Sequence, residues 1–536
     1  MKKKLTFLGL AIINLISMLI SIQAQSLKHN IVENERFEHI RKLINYKIEK
    51  GEIPSLSIAV AQNGKIIWME SFGYADKENK IKATPNTLYS VASISKPLTA
   101  TGIMKLYEMS KLDLDTDIEK YIAPLNLKYY VHDSIKVTCR NLLNHTAGMP
   151  MYFNYYYDDD TLDIPPMEQV IKKYGIVVYP PSSKYSYANL GYGILGYIIS
   201  NVTKKDFNDF MTEEIFKPLG MTRTTVDISS KTKKNLAKRY DWNGKLLPFS
   251  FADTPGAANF STTVNDLIHF GMFHLSNYKN NEAILKNSTI QSMHQKQYPD
   301  TLSSDEIYNK YFNRNNCGLG WFIDDKNYKY KIIYHAGGMD GVEGMLKLMP
   351  EKNIAVVALV NKSTADAGLT NQITDSVLIS LVPNLKDIKE RNQRNETKEM
   401  QKIKIIEQKD LTGKWKGNIE TYNQKIPVEL IFQEDGDIHI YTKAQFLTGS
   451  LSNENILNSY EQHKMLLDKW FFNNGYFMGK YSLSIPGEHL YRCADSKTML
   501  NLQYESGKIK GIAAALASSN RMYYGISFYL ELEREK

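Results

Sequence analysis

The chain reads as an α+β domain followed by an all-β domain, and three observations lead there. Strand-like runs lie beside helix-like runs at both ends of the first 380 or so residues, with a long, mainly helical middle between them. Past residue 410 the pattern is strand alone. Between the two parts the composition turns charged and polar. At 536 residues the chain is too long for one ordinary core and long enough for two or three domains.

The elements follow in order. Lys2, Lys3 and Lys4 precede an apolar run from Leu5 to Ile22, and Ala24 offers a small residue before Gln25. This predicts a secretory leader over 1–24 and an exported, periplasmic or secreted protein. The apolar run is near the lower limit for an uncleaved anchor, which would be its one route to a membrane. Phe37, Ile40, Ile44 and Ile48 recur at helical spacing. Leu56, Ile58 and Val60 then alternate, Asn63-Gly64 suits a tight turn, and Ile66 to Trp68 begin a return strand. Far downstream, "KIIYHAG", "EGMLKLMP" and "NIAVVALVN" are three more strand-like runs, the last two joined through Pro350 to Asn353. Leu369, Ile373, Val377 and Leu381 then mark a helix that stops at Pro383. These pieces predict one sheet in which early and late segments of the region 25–384 meet.

The stretch 385–410 is charged and reads as a partly helical linker. From 411 to 536, Val428, Leu430 and Phe432 alternate, Asp435-Gly436 turns, and Ile438 and Ile440 alternate back. Leu500, Leu502 and Tyr504 repeat the scheme, as do Ile526, Phe528, Leu530 and Leu532. This is a second domain, an antiparallel barrel or sandwich of roughly 125 residues, an ordinary domain size.

Composition excludes several functions. The formal charge of +8 is spread thinly, and there is no arginine-rich helix, zinc-finger spacing or aromatic-basic sheet pattern, so nucleic acid is not an expected partner. Cys139, Cys317 and Cys493 are too few and too scattered for a disulfide framework or a zinc site. They read as structural, with room for one bridged pair after export. No H-E-x-x-H and no G-x-S-x-G occurs, so metallohydrolase and α/β-hydrolase chemistry lack support, and no metal or cofactor is expected.

The stretch "SISKPLTA" carries the chemistry. Ser93 and Lys96 stand one helical turn apart, so both side chains share a face. A serine is a poor nucleophile until a neighbour takes its proton, and a buried lysine can be that neighbour. Pro97 requires the helix to begin close to Ser93, because proline is tolerated only in a first turn. A helix start also aims backbone N–H groups at a developing oxyanion. Alone, S-x-x-K is common by chance. Downstream, Tyr187-Ala188-Asn189 enters an apolar helix, and His335-Ala336-Gly337 lies on a predicted strand.

With these three motifs in this order, the chain resembles the serine β-lactamase and penicillin-binding-protein superfamily. It is most similar to the branch of class C β-lactamases, esterases and D-aminopeptidases. "LLNHTAGMP" and "PGAANFSTTVNDLIHF" look like further signature segments, and the resemblance covers about residues 30 to 382. It implies an antiparallel sheet flanked by helices, with a mainly helical subdomain. It also implies an acyl-enzyme on Ser93, with Lys96 and Tyr187 as general base and acid. Asn189, His335 and Gly337 would bind substrate, and the backbone N–H groups of Ser93 and Gly338 would form the oxyanion hole. The C-terminal domain resembles lipocalin-like modules appended to such hydrolases.

Two departures stand out. Class C β-lactamases carry K-T-G where this chain has His335-Ala336-Gly337, and a neutral imidazole grips a carboxylate more weakly than a lysine. Ala257-Ala258 replaces a frequent pair of glycines. His145 could serve as a catalytic base, but the resemblance implies a structural loop residue there, and the aromatic stretch 151–160 reads as either a cleft lip or an exposed flap. The expected partner is a small-molecule or peptide substrate. The expected activity is amide or ester hydrolysis, with a β-lactamase and a penicillin-binding sensor that acylates without turnover as rivals.

Overall fold

A computed structural model describes residues 35–131, 135–159, 163–226, 229–276, 281–297, 316–325, 327–363 and 368–386. In the C-terminal part it describes 411–434, 438–443, 460–467, 476–481, 496–505, 507–517 and 524–535. The predicted leader, most of the linker and the Asp435-Gly436 turn lie outside the described residues.

The first domain is built on a seven-stranded antiparallel sheet. Its order is Phe322–Asp324, Ile332–Met339, Val342–Met349, Ile354–Val360, Ser55–Gln62, Lys65–Asp76 and Ile81–Lys82. The predicted meeting of early and late segments is the pairing of Ser55–Gln62 with Ile354–Val360, with Ile58 opposite Ala358 and Val60 opposite Val356. Both strands are buried on both faces. Because side chains alternate across a strand, each residue type has its own partner layer. Leu56, Ile58, Val356 and Val360 pack under the helices Glu38–Glu49 and Leu369–Leu381. Ala59, Ala61, Val357 and Leu359 face the helical subdomain instead. Small residues on that face let its helices approach closely.

Three helices of that subdomain hold the chemistry-bearing segments: Ser95–Glu108, Asn189–Thr203 and Val264–His274. The helix from Ser95 is almost wholly buried, as an apolar stretch without a polar face must be. Behind it, Thr101 Oγ1 lies 3.1 Å from His274 Nε2, and His274 Nδ1 lies 3.2 Å from His294 Nε2. Trp321 packs edge-on against both rings. Burial holds both histidines neutral: His274 well below its ordinary range and His294 at about 3, with the Lys331 charge adding to the second.

An acid sensitivity follows from this pair. Below pH 6.5 the unfolded chain binds protons that the folded chain refuses, so stability falls as pH drops from about 6.5 toward 3. Each histidine contributes a slope of about 1.4 kcal/mol per pH unit. Urea unfolding at pH 7 and pH 5 should show this loss, and His294→Phe should flatten the slope. An unchanged slope in that variant would rule out His294 as its source.

The C-terminal strands pair in chain order from Gly413–Glu420 to Tyr524–Arg534, each antiparallel to the next. The last strand also pairs with the first, placing Trp415 opposite Arg534 and Ile419 opposite Leu530. Val428, Leu430, Phe432, Leu500, Leu502, Leu530 and Leu532 are buried, as their alternation requires. This β unit does not stand wholly apart from the first domain. Tyr524 and Gly525 pair with Asn154 and Phe153, so its sheet runs on through Phe153–Tyr157 to Ser250–Ala252. The aromatic stretch after residue 151 is therefore a buried strand and not an exposed flap. Its Phe and Tyr residues favour a pleated surface, and the last C-terminal strand supplies the cover.

Candidate active site

Ser93 sits in a 3₁₀ turn, Ala92–Ile94, directly ahead of the helix from Ser95. Pro97 falls in that helix's first turn, where its missing N–H costs nothing. Ala92 lies in the left-handed region at φ 45°, a conformation costing an L-residue about 1–2 kcal/mol. The surrounding packing holds this strained turn immediately before the serine.

Lys96 is fully buried and its Nζ donates to Ser93 Oγ at 2.9 Å. It also donates to the Ala257 carbonyl at 3.1 Å. Tyr187 OH donates to the same Ser93 Oγ at 2.9 Å. The lysine ammonium lies 4.8 Å from the centre of the Tyr187 ring and 5.6 Å from that of Tyr192, an arrangement that favours a cation over the ring faces. Ser95, the competing hydroxyl, is fully buried and accepts the Phe260 N–H at 3.1 Å. It serves the packing, not the cleft.

His145 holds Tyr187 in place. Its Nδ1 accepts the Ala188 N–H at 3.3 Å, and its ring lies 4.4 Å from that of Tyr187. It is a buried loop residue, as the resemblance implies. Asn189 opens the helix Asn189–Thr203 and donates from Nδ2 to the Tyr152 carbonyl at 2.8 Å. A carbonyl accepts only from the NH₂ end, which fixes the amide's orientation and leaves one N–H and Oδ1 for a substrate.

The strand Ile332–Met339 lines the other side. Its outer neighbour pairs only with Ile332, Ile333 and Tyr334, so from His335 onward that edge carries no second ladder among the described strands. Gly337 is buried, and a Cβ there would lie 2.1 Å from the Val91 carbonyl oxygen. Its contribution is this close approach of strand to serine turn, a role that its motif position did not reveal. Gly338 is exposed, with open space where a side chain would be. His335 is 2% exposed, packs its ring 4.8 Å from Phe322, and donates from Nδ1 to the Ala336 carbonyl at 2.7 Å. The carbonyl can only accept, so Nδ1 carries the proton.

The tertiary structure adds partners that the motifs do not contain. The Ala257 carbonyl holds Lys96, the Tyr152 carbonyl holds Asn189, and Tyr192 shares the face of Asn189 one turn on. Only the last was visible as a spacing, since residues three apart on a helix are neighbours. Cys139 and Cys317 are buried free thiols, so these two do not bridge, and Cys493 lies outside the described residues. Burial pushes the Cys139 thiol up to about 12, with Asp113 and Asp115 adding to it, which leaves it inert.

Comparison with known proteins gives a consistent result. The family model described as Beta-lactamase matches residues 40–378. Protein flp of Staphylococcus aureus (strain N315) is 30% identical over 342 residues, 61% of this chain and 64% of that protein. The match thus covers less than two thirds of that relative's length. Penicillin-binding protein 4* of Bacillus subtilis (strain 168) is 26% identical over 353 residues, 62% of this chain and 72% of that protein. Among solved structures, the octameric penicillin-binding protein homologue from Pyrococcus abyssi aligns with a TM-score of 0.54 at 21% identity. That alignment covers 92% of this chain and 99% of the other, and at this identity the likeness is one of fold.

Proposed function

The chain belongs to the beta-lactamase family, and on that premise we propose that it is an exported serine hydrolase that cleaves an amide or ester through an acyl-enzyme on Ser93. One observation carries the reading: Ser93 Oγ, at a helix start, lies 2.9 Å from both Lys96 Nζ and Tyr187 OH. Oγ attacks the substrate carbonyl carbon while its proton passes to the Lys96–Tyr187 pair. The pair accepts it with one member unprotonated, either Lys96 as the free amine or Tyr187 as a phenolate beside the Lys96 ammonium. The carbonyl oxygen, now anionic, accepts from the backbone N–H groups of Ser93 and Gly338. Collapse breaks the bond to the amine or alcohol, which leaves with a proton returned through Tyr187. Water, deprotonated by the same pair, then hydrolyses the ester on Ser93.

The substrate class is a small or cell-wall-derived peptide or ester. His335 stands where a lysine would hold a substrate carboxylate, and its Nδ1–H is already donated to the Ala336 carbonyl. Penicillins are therefore expected to acylate Ser93 but to turn over slowly. The C-terminal β unit is proposed as a lipocalin-like barrel in a domain spanning 411–536.

Intact-mass spectrometry across simple esters, D-amino-acid amides and penicillins, with steady-state turnover on each, tests the whole reading. Expected are ester or D-amino-acid amide hydrolysis and a slowly lost penicillin adduct. A stable adduct with every donor and no turnover would make the protein a sensor. Rapid penicillin hydrolysis would make it a β-lactamase.

A further inference from the structure

The last C-terminal strand also bonds to the strand Phe153–Tyr157 of the first domain, and the bonds can be followed to Asn189. Tyr524 and Gly525 pair with Asn154 and Phe153. Ser527 Oγ donates to the Met151 carbonyl at 2.7 Å. Gly525 lies directly against the Phe153 ring, which comes within 2.2 Å of where a Cβ would be. Tyr152, in the middle of this bonded segment, gives its carbonyl to Asn189 Nδ2 at 2.8 Å and its hydroxyl to Asp253 Oδ2 at 2.6 Å. Asn154 Nδ2 donates to the same Asp253 oxygen at 3.0 Å. Asp253 is 1% exposed, and the short helix Pro255–Ala258 that follows it supplies the carbonyl bonded to Lys96.

We infer that Gly525 and Ser527 are positioning residues for substrate recognition: the C-terminal domain sets the Tyr152 carbonyl, and through it the orientation in which Asn189 meets a substrate amide. The inference deepens the proposed function and rests on its assignment of Asn189 to the substrate. The chemistry is directional. With one Nδ2–H committed to Tyr152, Asn189 offers one donor and one acceptor, a pattern matched by a secondary amide beside the scissile carbonyl. A substrate with that amide gains from a correctly held Asn189, and a bare ester has nothing there to bind. The domain's influence therefore falls on selection between these two kinds of acyl donor.

The test uses the full chain and two probes, an N-acetylamino acid p-nitrophenyl ester and p-nitrophenyl acetate, and reads the ratio of their kcat/KM values. Asn189→Ala should lower the ratio about tenfold, the loss of roughly one hydrogen bond. Gly525→Val, which displaces Phe153, and the milder Ser527→Ala should lower it about threefold or more, chiefly through KM for the amide-bearing probe. In the Asn189→Ala background neither change should lower the ratio further, because the effect acts through Asn189. A purely structural role would instead lower both probes together along with the thermal midpoint. If Asn189→Ala lowers the ratio but Gly525→Val and Ser527→Ala do not, or if they lower it equally without Asn189, this inference fails and the proposed function stands. If Asn189→Ala leaves the ratio unchanged, the assignment of Asn189 fails first.

Discussion

Ser93→Ala is expected to abolish covalent labelling by a fluorophosphonate, whereas Ser95→Ala should keep most of it. The two hydroxyls are two residues apart, but only Ser93 Oγ meets Lys96 and Tyr187, while Ser95 Oγ holds the Phe260 N–H. Lys96→Ala and Tyr187→Phe should each lower turnover at least about a hundredfold, the low end of what a positioned acid or base contributes. Tyr187→Phe is the cleaner of the two, since it removes one hydroxyl and leaves the ring packed on His145. Lys96→Ala also empties a fully buried site, so its unfolding midpoint must be measured beside its activity. Labelling that persists in Ser93→Ala, or near-full turnover in either other variant with the fold intact, would overturn the assignment of the nucleophile and its relay.

Asp375→Ala should destabilise the first domain by about 3–5 kcal/mol, the usual cost of stranding one member of a buried ion pair. Asp375 lies on the helix Leu369–Leu381 and Lys347 on the strand Val342–Met349 beneath it, with side chains 7% and 4% exposed. Lys347 bonds to Asp375 Oδ1, and Tyr328 OH donates to the same oxygen at 2.7 Å. Without the carboxylate, a buried ammonium keeps the Asn371 carbonyl at 3.4 Å but loses its counter-charge, and the Tyr328 hydroxyl loses this acceptor. Replacing the pair together, Lys347→Met with Asp375→Leu, should recover part of the loss, because no charge is left stranded while the Tyr328 hydroxyl still lacks this acceptor. Urea unfolding of both variants checks this. A single-variant loss below about 1 kcal/mol would mean that water reaches the site and solvates the lysine.

Much of the fold was legible in local pattern. Leu56, Ile58 and Val60, and Leu369, Ile373 and Val377, announce a strand and a helix because a buried face repeats at the period of its backbone. The meeting of early and late strands followed less directly, from two strand-rich ends that each needed a partner, and the register of Ser55–Gln62 on Ile354–Val360 came from the structure alone. The aromatic stretch after residue 151 was the least legible. Its composition suits a strand, but a strand's burial depends on what covers its edge, and the cover comes from Tyr524 and Gly525, some 370 residues away.

The site divides in the same way. The sequence by itself brought Ser93 and Lys96 together, because a three-residue spacing at a helix start places both side chains on one face. It also determined where that helix begins, because Pro97 permits no earlier turn. Only the tertiary structure decided that Tyr187 reaches the same oxygen, that Ala257 and Tyr152 lend their carbonyls, and that Gly337 serves close packing against Val91. These are meetings of backbone and side chain between segments far apart in the chain. A backbone carbonyl is the same atom in every residue, so no pattern of side chains can mark which one a distant lysine or asparagine will find.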